Sequence, residues 1–195
     1  MRTPTGRLPR RMTPRRTFAT LLAAVSVAGL AACGDDGPVT TAKSEGTYVT
    51  VDHLRYQVEI SRQLNPTDVE DRDYLTGVPD ADLTLKPNEV WFGVFVRVVN
   101  EAKGGPLLPT ASSFLIEDTQ HNDFEPIPTD NIISYKPTTL GPKDTFPRGV
   151  EPAAYAPTQG KLVLFKVQND TLANRPLELT IFGSSGEKGK VELDV

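Results

Sequence analysis

The stretch 89-EVWFGVFVRVVN-100 decides the fold. It is apolar at odd and even positions alike, and rich in β-branched and aromatic residues. A segment of this length and kind reads as a central strand buried on both faces. Upstream, 53-HLRYQVEIS-61 alternates instead. Leu54, Tyr56, Val58 and Ile60 fall on one face, and Arg55, Gln57, Glu59 and Ser61 on the other, the signature of a half-buried strand. The run 48-YVTV-51 is either part of that strand or its kinked neighbour.

Downstream, 112-SSFLIEDT-119, 161-KLVLFKVQN-169, 177-LELTIFG-183 and 190-KVELDV-195 continue the pattern. Proline falls between these runs and never inside them, as a hydrogen-bonded ladder requires. One short helix is predicted over 68–75. Thr67-Asp68-Val69-Glu70 has capping-box spacing, acids occupy its first turn, and Gly77 follows its end. Short strands with long Pro-rich connections predict an all-β domain over 47–195, an immunoglobulin-like antiparallel β-sandwich of about seven to eight strands. A single cysteine excludes an inter-sheet disulfide, so core packing must hold the sheets together.

The chain changes character at that cysteine. Residues 1–32 carry six arginines (Arg2, Arg7, Arg10, Arg11, Arg15, Arg16) and no acid. The remainder carries the other 15 basic residues and all 25 acidic ones, a formal charge of −10. An acidic body repels nucleic acid and anionic lipid, which argues against a nucleic-acid partner. The apolar run 18-FATLLAAVSVAGLAA-32 is too short for a membrane span and the right length for a signal-peptide core. Residues 1–32 are therefore expected to be a signal peptide. Arg15-Arg16-Thr17-Phe18 resembles a twin-arginine export signal. Ala19 and Thr20 depart from that pattern, so the general secretory route stays open.

Leu30-Ala31-Ala32-Cys33 matches the lipobox of bacterial lipoproteins at all four positions. The resemblance implies diacylglycerol on the Cys33 thiol, cleavage between Ala32 and Cys33, and a membrane partner reached through that lipid. Gly34 to Gly46 holds almost no apolar residue, and residues 33–46 are expected to be a tether.

The body offers little chemistry. It contains no P-loop, no Gly-x-Gly-x-x-Gly and no Gly-x-Ser-x-Gly elbow. His53 and His121 are its only histidines and lack the spacing of a metal site. Asp68, Glu70, Asp71, Asp73, Asp80 and Asp82 crowd one segment and raise the possibility of calcium, but without the ligand order of an EF-hand. No catalytic residue, metal ligand or cofactor is assigned, and the protein is not expected to be an enzyme. Pro137, Pro142, Pro147, Pro152 and Pro157 recur every five residues. This stretch is either an arm covering a sheet edge or a long loop stiffened by proline.

Several elements together resemble the bacterial domain-of-unknown-function 4352 family. They are the strand ending in Asn100, Ser113-Phe114-x-Ile116-x-Asp118 with Phe124, Leu140-Gly141-Pro142-Lys143-Asp144, and the strand from Gly160 through Val167. The resemblance implies an immunoglobulin-like domain on an exported lipoprotein and carries over no functional residue. The expected role is a lipid-anchored, extracytoplasmic module that binds an envelope protein or cell-wall component. The alternative is a small-ligand or calcium-binding lipoprotein.

Overall fold

The structure, a computed structural model, describes residues 37–156 and 158–195. In chain order the elements are β1 (Thr41–Ala42), β2 (Val49–Val51), β3 (Leu54–Leu64), α1 (Val69–Tyr74), β4 (Glu89–Val99), β5 (Leu108–Pro109), β6 (Ser113–Glu117), β7 (Asp123–Phe124), β8 (Pro126–Ile127), β9 (Thr139–Leu140), β10 (Thr145–Phe146), β11 (Lys161–Gln168), β12 (Leu177–Phe182) and β13 (Lys188–Leu193). One sheet has the order β1-β13-β12-β6-β7. The other has the order β2-β3-β4-β11-β8, with β10 also pairing β4. Strands β5 and β9 form a separate small ribbon. The architecture is the expected β-sandwich.

β4 sits between β3 and β11, as its two-faced apolarity predicts. Phe92, Val94, Val96 and Val98 enter the core between the sheets, with Tyr56, Ile116, Phe165, Leu179 and Ile181. Trp91 and Phe95 point the other way, into a second apolar cluster with Leu64, Tyr74, Val78, Leu162 and Leu164. Tyr74 of α1 meets Phe95 edge-on at 5.2 Å between ring centroids. The helix and the chain after it therefore roof the outer face of this sheet. Fully burying side chains of this size stabilises by about 1.5–3 kcal/mol each.

β3 departs from the expected alternation. Val58 pairs with Val96 but Ile60 pairs with Phe95, so Glu59 is the extra residue of a β-bulge. Beyond it the faces exchange. Ile60 and Leu64 pack into the outer cluster, and Ser61 is buried on the core side. Ile60 therefore does not share a face with Leu54, Tyr56 and Val58. β2 is a separate strand from β3. Asp52 and His53, at φ 50° and 64°, form the two-residue turn between them, and positive φ is what the primed hairpin turns require.

The tether boundary also needs correction. Thr41 and Ala42 pair in parallel with Lys190 and Val191, and Ala42 is buried. The Glu45 carboxylate accepts from Ser61 N at 3.1 Å and Asp194 N at 3.2 Å. Gly46 N donates to Val58 O at 2.8 Å, beside the bulge. Residues 41–46 thus belong to the folded domain, which begins before Thr47. Helix α1 is capped by Asp68, whose side chain accepts from Glu70 N and Asp71 N. Thr67 instead donates its hydroxyl to Asn65 Oδ1 at 2.8 Å. The cap thus lies one residue later than the capping-box spacing implies.

Candidate functional site

Arg15, Arg16, Ala32 and Cys33 lie outside the described residues. No helix among the described residues is long and apolar enough to cross a membrane. His53 occupies the β2–β3 turn. His121 stands in the β6–β7 turn, on the other sheet, its Nδ1 2.5 Å from Glu117 Oε1. The fold does not bring the two histidines into one site.

Three of the acidic residues of 68–82 are spent on separate local tasks. Asp68 caps α1, and Glu70 accepts from the Tyr74 hydroxyl at 2.9 Å. Asp71 is buried against the Arg62 guanidinium, with Nη1 to Oδ2 at 3.1 Å, and accepts from Asn65 N at 2.7 Å. Burial pushes this carboxyl up, but the Arg62 and Asn65 hydrogen bonds and the Arg62 charge outweigh it and hold it below the ordinary range. Among the described residues no group of three or more His, Cys, Asp or Glu is arranged to hold a metal ion.

The residues that carry the family resemblance build turns. Buried Asn100 donates its side-chain amide to Leu140 O at 3.2 Å, and its backbone exchanges hydrogen bonds with the turn at Lys143 and Asp144. Asp118 collects four donors: Gln120 N at 2.8 Å, Asn122 N at 3.0 Å, Asn122 Nδ2 at 2.9 Å and Asn174 Nδ2 at 3.2 Å. Burial raises its carboxyl, and these bonds more than reverse that, lowering it to about 2.

The proline-rich stretch is built into the domain. β9 pairs β5, and β10 pairs the end of β4, Thr145 opposite Val99 and Phe146 opposite Val98. A 3-10 turn follows at Pro152–Ala154. Lys161, buried at the start of β11, holds Glu151 at 2.5 Å and Ile132 O at 3.0 Å. Gly160 returns the chain to β4 at φ 125°, and a Cβ there would stand 3.0 Å from Val96 N. Only glycine combines that torsion with that closeness.

Between this arm and β4 lies a cleft of about 160 Å³, lined by Arg97, Thr145, Pro147, Gly149, Ala154, Tyr155, Gln159 and Gly160. An adjacent hollow is lined by Glu59, Ile60, Thr158 and Gln159, so Gln159 borders both. Arg97 Nη1 is 3.7 Å from Glu59 Oε1. Neither Arg97 nor Glu59 was singled out from the sequence. On simple alternation Glu59 is one more outward polar residue, and the strand register, with Arg97 opposite Gln57, sets the two on one face.

A larger groove, about 360 Å³, follows the edge of β6. Ser113, Phe114, Pro126, Ile127, Tyr135 and Leu164 are among its walls. β7 pairs only with Ile116 and Glu117, and a single residue, Glu125, separates it from β8 on the opposite sheet. No strand among the described residues lies opposite Ser113–Leu115 on that side.

No protein-family model matches the chain. No curated protein sequence matches it at a significant level. Two solved structures bear a distant likeness. One is a candidate lipoprotein (ycdA) of Bacillus subtilis subsp. subtilis str. 168, at 12% identity and TM-score 0.46, covering 76% of this chain and 38% of that one. The other is an uncharacterized β-sandwich protein of Clostridium difficile 630, at 13% identity and TM-score 0.34, covering 78% of this chain and 95% of that one. The chain thus spans well under half the length of the Bacillus protein. Likeness this distant carries no argument about role, and the sandwich assignment stands on the strand pairing itself.

Proposed function

We propose that the chain is a lipid-anchored, extracytoplasmic lipoprotein whose β-sandwich is a non-enzymatic module for contact with an envelope protein or cell-wall component. The lipobox at Leu30-Ala31-Ala32-Cys33 carries the reading. The first strand, β1, then starts eight residues after the proposed anchor, at Thr41. Eight residues reach at most about 28 Å when fully extended, so the sandwich stays close to the bilayer. The strand-and-turn pattern supports a place beside the domain-of-unknown-function 4352 proteins.

The surface offered for contact is the groove along β6. Ser113–Leu115 gives it a row of main-chain groups, and Phe114, Pro126 and Ile127 give it apolar walls. An extended segment of an envelope protein fits such an edge by strand addition.

Two measurements test this reading. Replacing Cys33 by Ala is expected to move the protein out of the membrane fraction and abolish fatty-acid labelling. Retained labelling would show that the lipobox reading is wrong. A photo-crosslinking residue at exposed Ser113, used in intact cells, is expected to capture a reproducible envelope partner that a probe at Asp170 does not. Equal capture from both positions refutes the groove as the contact surface.

A further inference from the structure

We propose that the sandwich stands end-on on the lipid bilayer that holds its anchor, with Leu107 entering the headgroup layer and Lys103, Lys143 and Lys188 over lipid phosphates. The proposal rests on the lipobox reading, which brings a bilayer near, and adds which end of the domain meets it.

The strand register locates that end. Thr50, Arg55, Val99 and Thr145 pair one after another in a row across the sheet, and Thr50 N donates to Val39 O at 2.6 Å. β1 runs parallel to β13. The chain leading back to Cys33 therefore leaves at the end where β13 starts and where β2 and β4 finish. Val39 lies six residues after Cys33, a reach of at most about 21 Å. Neighbouring strands lie about 4.8 Å apart, which puts the base of the loop after β4 about 15 Å from Val39. That loop stands beside the point of anchorage.

Three observations fit this end to a lipid surface. The first is an apolar side chain held out in water. Residues 101–107 are all exposed, and a Cβ at Gly104 or Gly105 would meet nothing within 4 Å. Leu107 closes the loop at 66% exposure. The base is braced, with Asn100 N donating to Asp144 O at 2.9 Å and Lys143 Nζ to Glu101 O at 2.7 Å. The second is open positive charge. None of the ion pairs among the described residues uses Lys103, Lys143 or Lys188. The acids at this end are already engaged. Glu101 pairs with Arg55 at 2.7 Å, Asp144 accepts from Gly141 N at 2.9 Å, Asp52 accepts from Ser184 and Ser185, and Glu187 accepts from Asp52 N at 2.6 Å. The third is the placing of the other acids. The segment 68–82 follows β3, and Glu117, Asp118, Asp123 and Asp170 lie where β6 and β11 finish, all at the opposite end. An anionic leaflet repels that end and turns the lysine-bearing end toward itself.

The anchor makes the contact intramolecular. A single leucine and a few lysines would not hold a free protein on a membrane, but a tethered one meets the surface at high effective concentration.

The test uses the lipidated protein reconstituted into vesicles of phosphatidylcholine and phosphatidylglycerol. An environment-sensitive fluorophore is carried on Ala102→Cys, in the loop, or on Asp170→Cys, at the far end. Quenching by a headgroup-spin-labelled lipid is expected to be about twofold or more stronger at 102 than at 170. Leu107→Asp is expected to lower the quenching at 102 by about half or more while the protein still floats with the vesicles. Lys103→Glu serves as the second variant should Leu107→Asp fail to fold by circular dichroism. Equal quenching at 102 and 170, or quenching at 102 unchanged by either variant, overturns the proposal and leaves the anchor standing. A protein that does not float with the vesicles refutes the lipobox reading and the proposal with it.

Discussion

Replacing Asp118 by Asn removes one charge and leaves the side-chain shape intact. The wild-type carboxylate accepts two backbone N–H groups and two side-chain amides, closing the β6–β7 turn and tying it to Asn174. An amide turns one of its two oxygens into a donor that faces other donors. Hydrogen bonds to a charged group contribute about 1.5–3 kcal/mol each, and the weakest of the four is the one to Asn174, so a net loss of about 2 kcal/mol at pH 7 is expected. The pH dependence separates this cause from lost packing. The folded-state carboxyl lies at about 2, against an ordinary 3.8. A depressed carboxyl stabilises above its unfolded value, and that stability is lost as pH falls through the folded one. The shift corresponds to roughly 2 kcal/mol at most, and nearer 1 kcal/mol once solvent screening at the turn is allowed for. Urea unfolding at pH 7, 4 and 2.5 should show the wild type losing this increment below about pH 4, while Asp118→Asn does not. The gap between the two proteins therefore narrows in acid. Parallel curves across that window would refute the assignment.

Two further outcomes follow from the packing. Phe95→Ala should cost about 3–5 kcal/mol in urea unfolding, because its ring is buried in the outer cluster under α1 and not on a solvated face. A cost below about 1 kcal/mol would mean that the cluster is loosely packed. Lys161→Met leaves Glu151 facing an apolar side chain and should cost about 2–3 kcal/mol, with faster proteolytic cutting between residues 147 and 159. Adding Glu151→Gln should restore much of that loss, and a double variant no better than the single one would dissociate the arm from this ion pair.

The sandwich was legible because its long strands announce themselves locally. β4 shows its central place by being apolar on both faces, and Leu54, Tyr56 and Val58 show the core face of β3. What covers the second face of β4 was not legible, since Tyr74 and Val78 reach Phe95 only through the path of the intervening chain. The bulge at Glu59 has no signal in the alternation, so Ile60 was expected on the wrong face. β1 escaped notice because two polar-flanked residues do not make a period. Its partner, β13, lies about 150 residues away along the chain. Thr67 and Asp68 are both good caps, and only the capture of Thr67 by Asn65 decides between them. The scattered His and Asp residues gave little sign of a shared site. The Arg97–Glu59 pair was invisible because alternation gives each residue its face but not the register of β3 against β4, which sets Arg97 opposite Gln57.

The parallel pairing of β1 with β13 has a mechanical side. On the proposed anchoring at Cys33, a tug between membrane and sandwich would reach the segment that carries β1 first. Two residues of ladder, the Lys43–Glu192 ion pair, the Glu45 contacts and a few backbone hydrogen bonds at Val39, Thr40 and Gly46 form that seam. It should part before the long β3–β4 ladder does, releasing residues 41–46 as about 20 Å of extra line. The seam then acts as a fuse: under load the leash lengthens while the sandwich behind it stays folded. A force–extension trace would record this as one short early step.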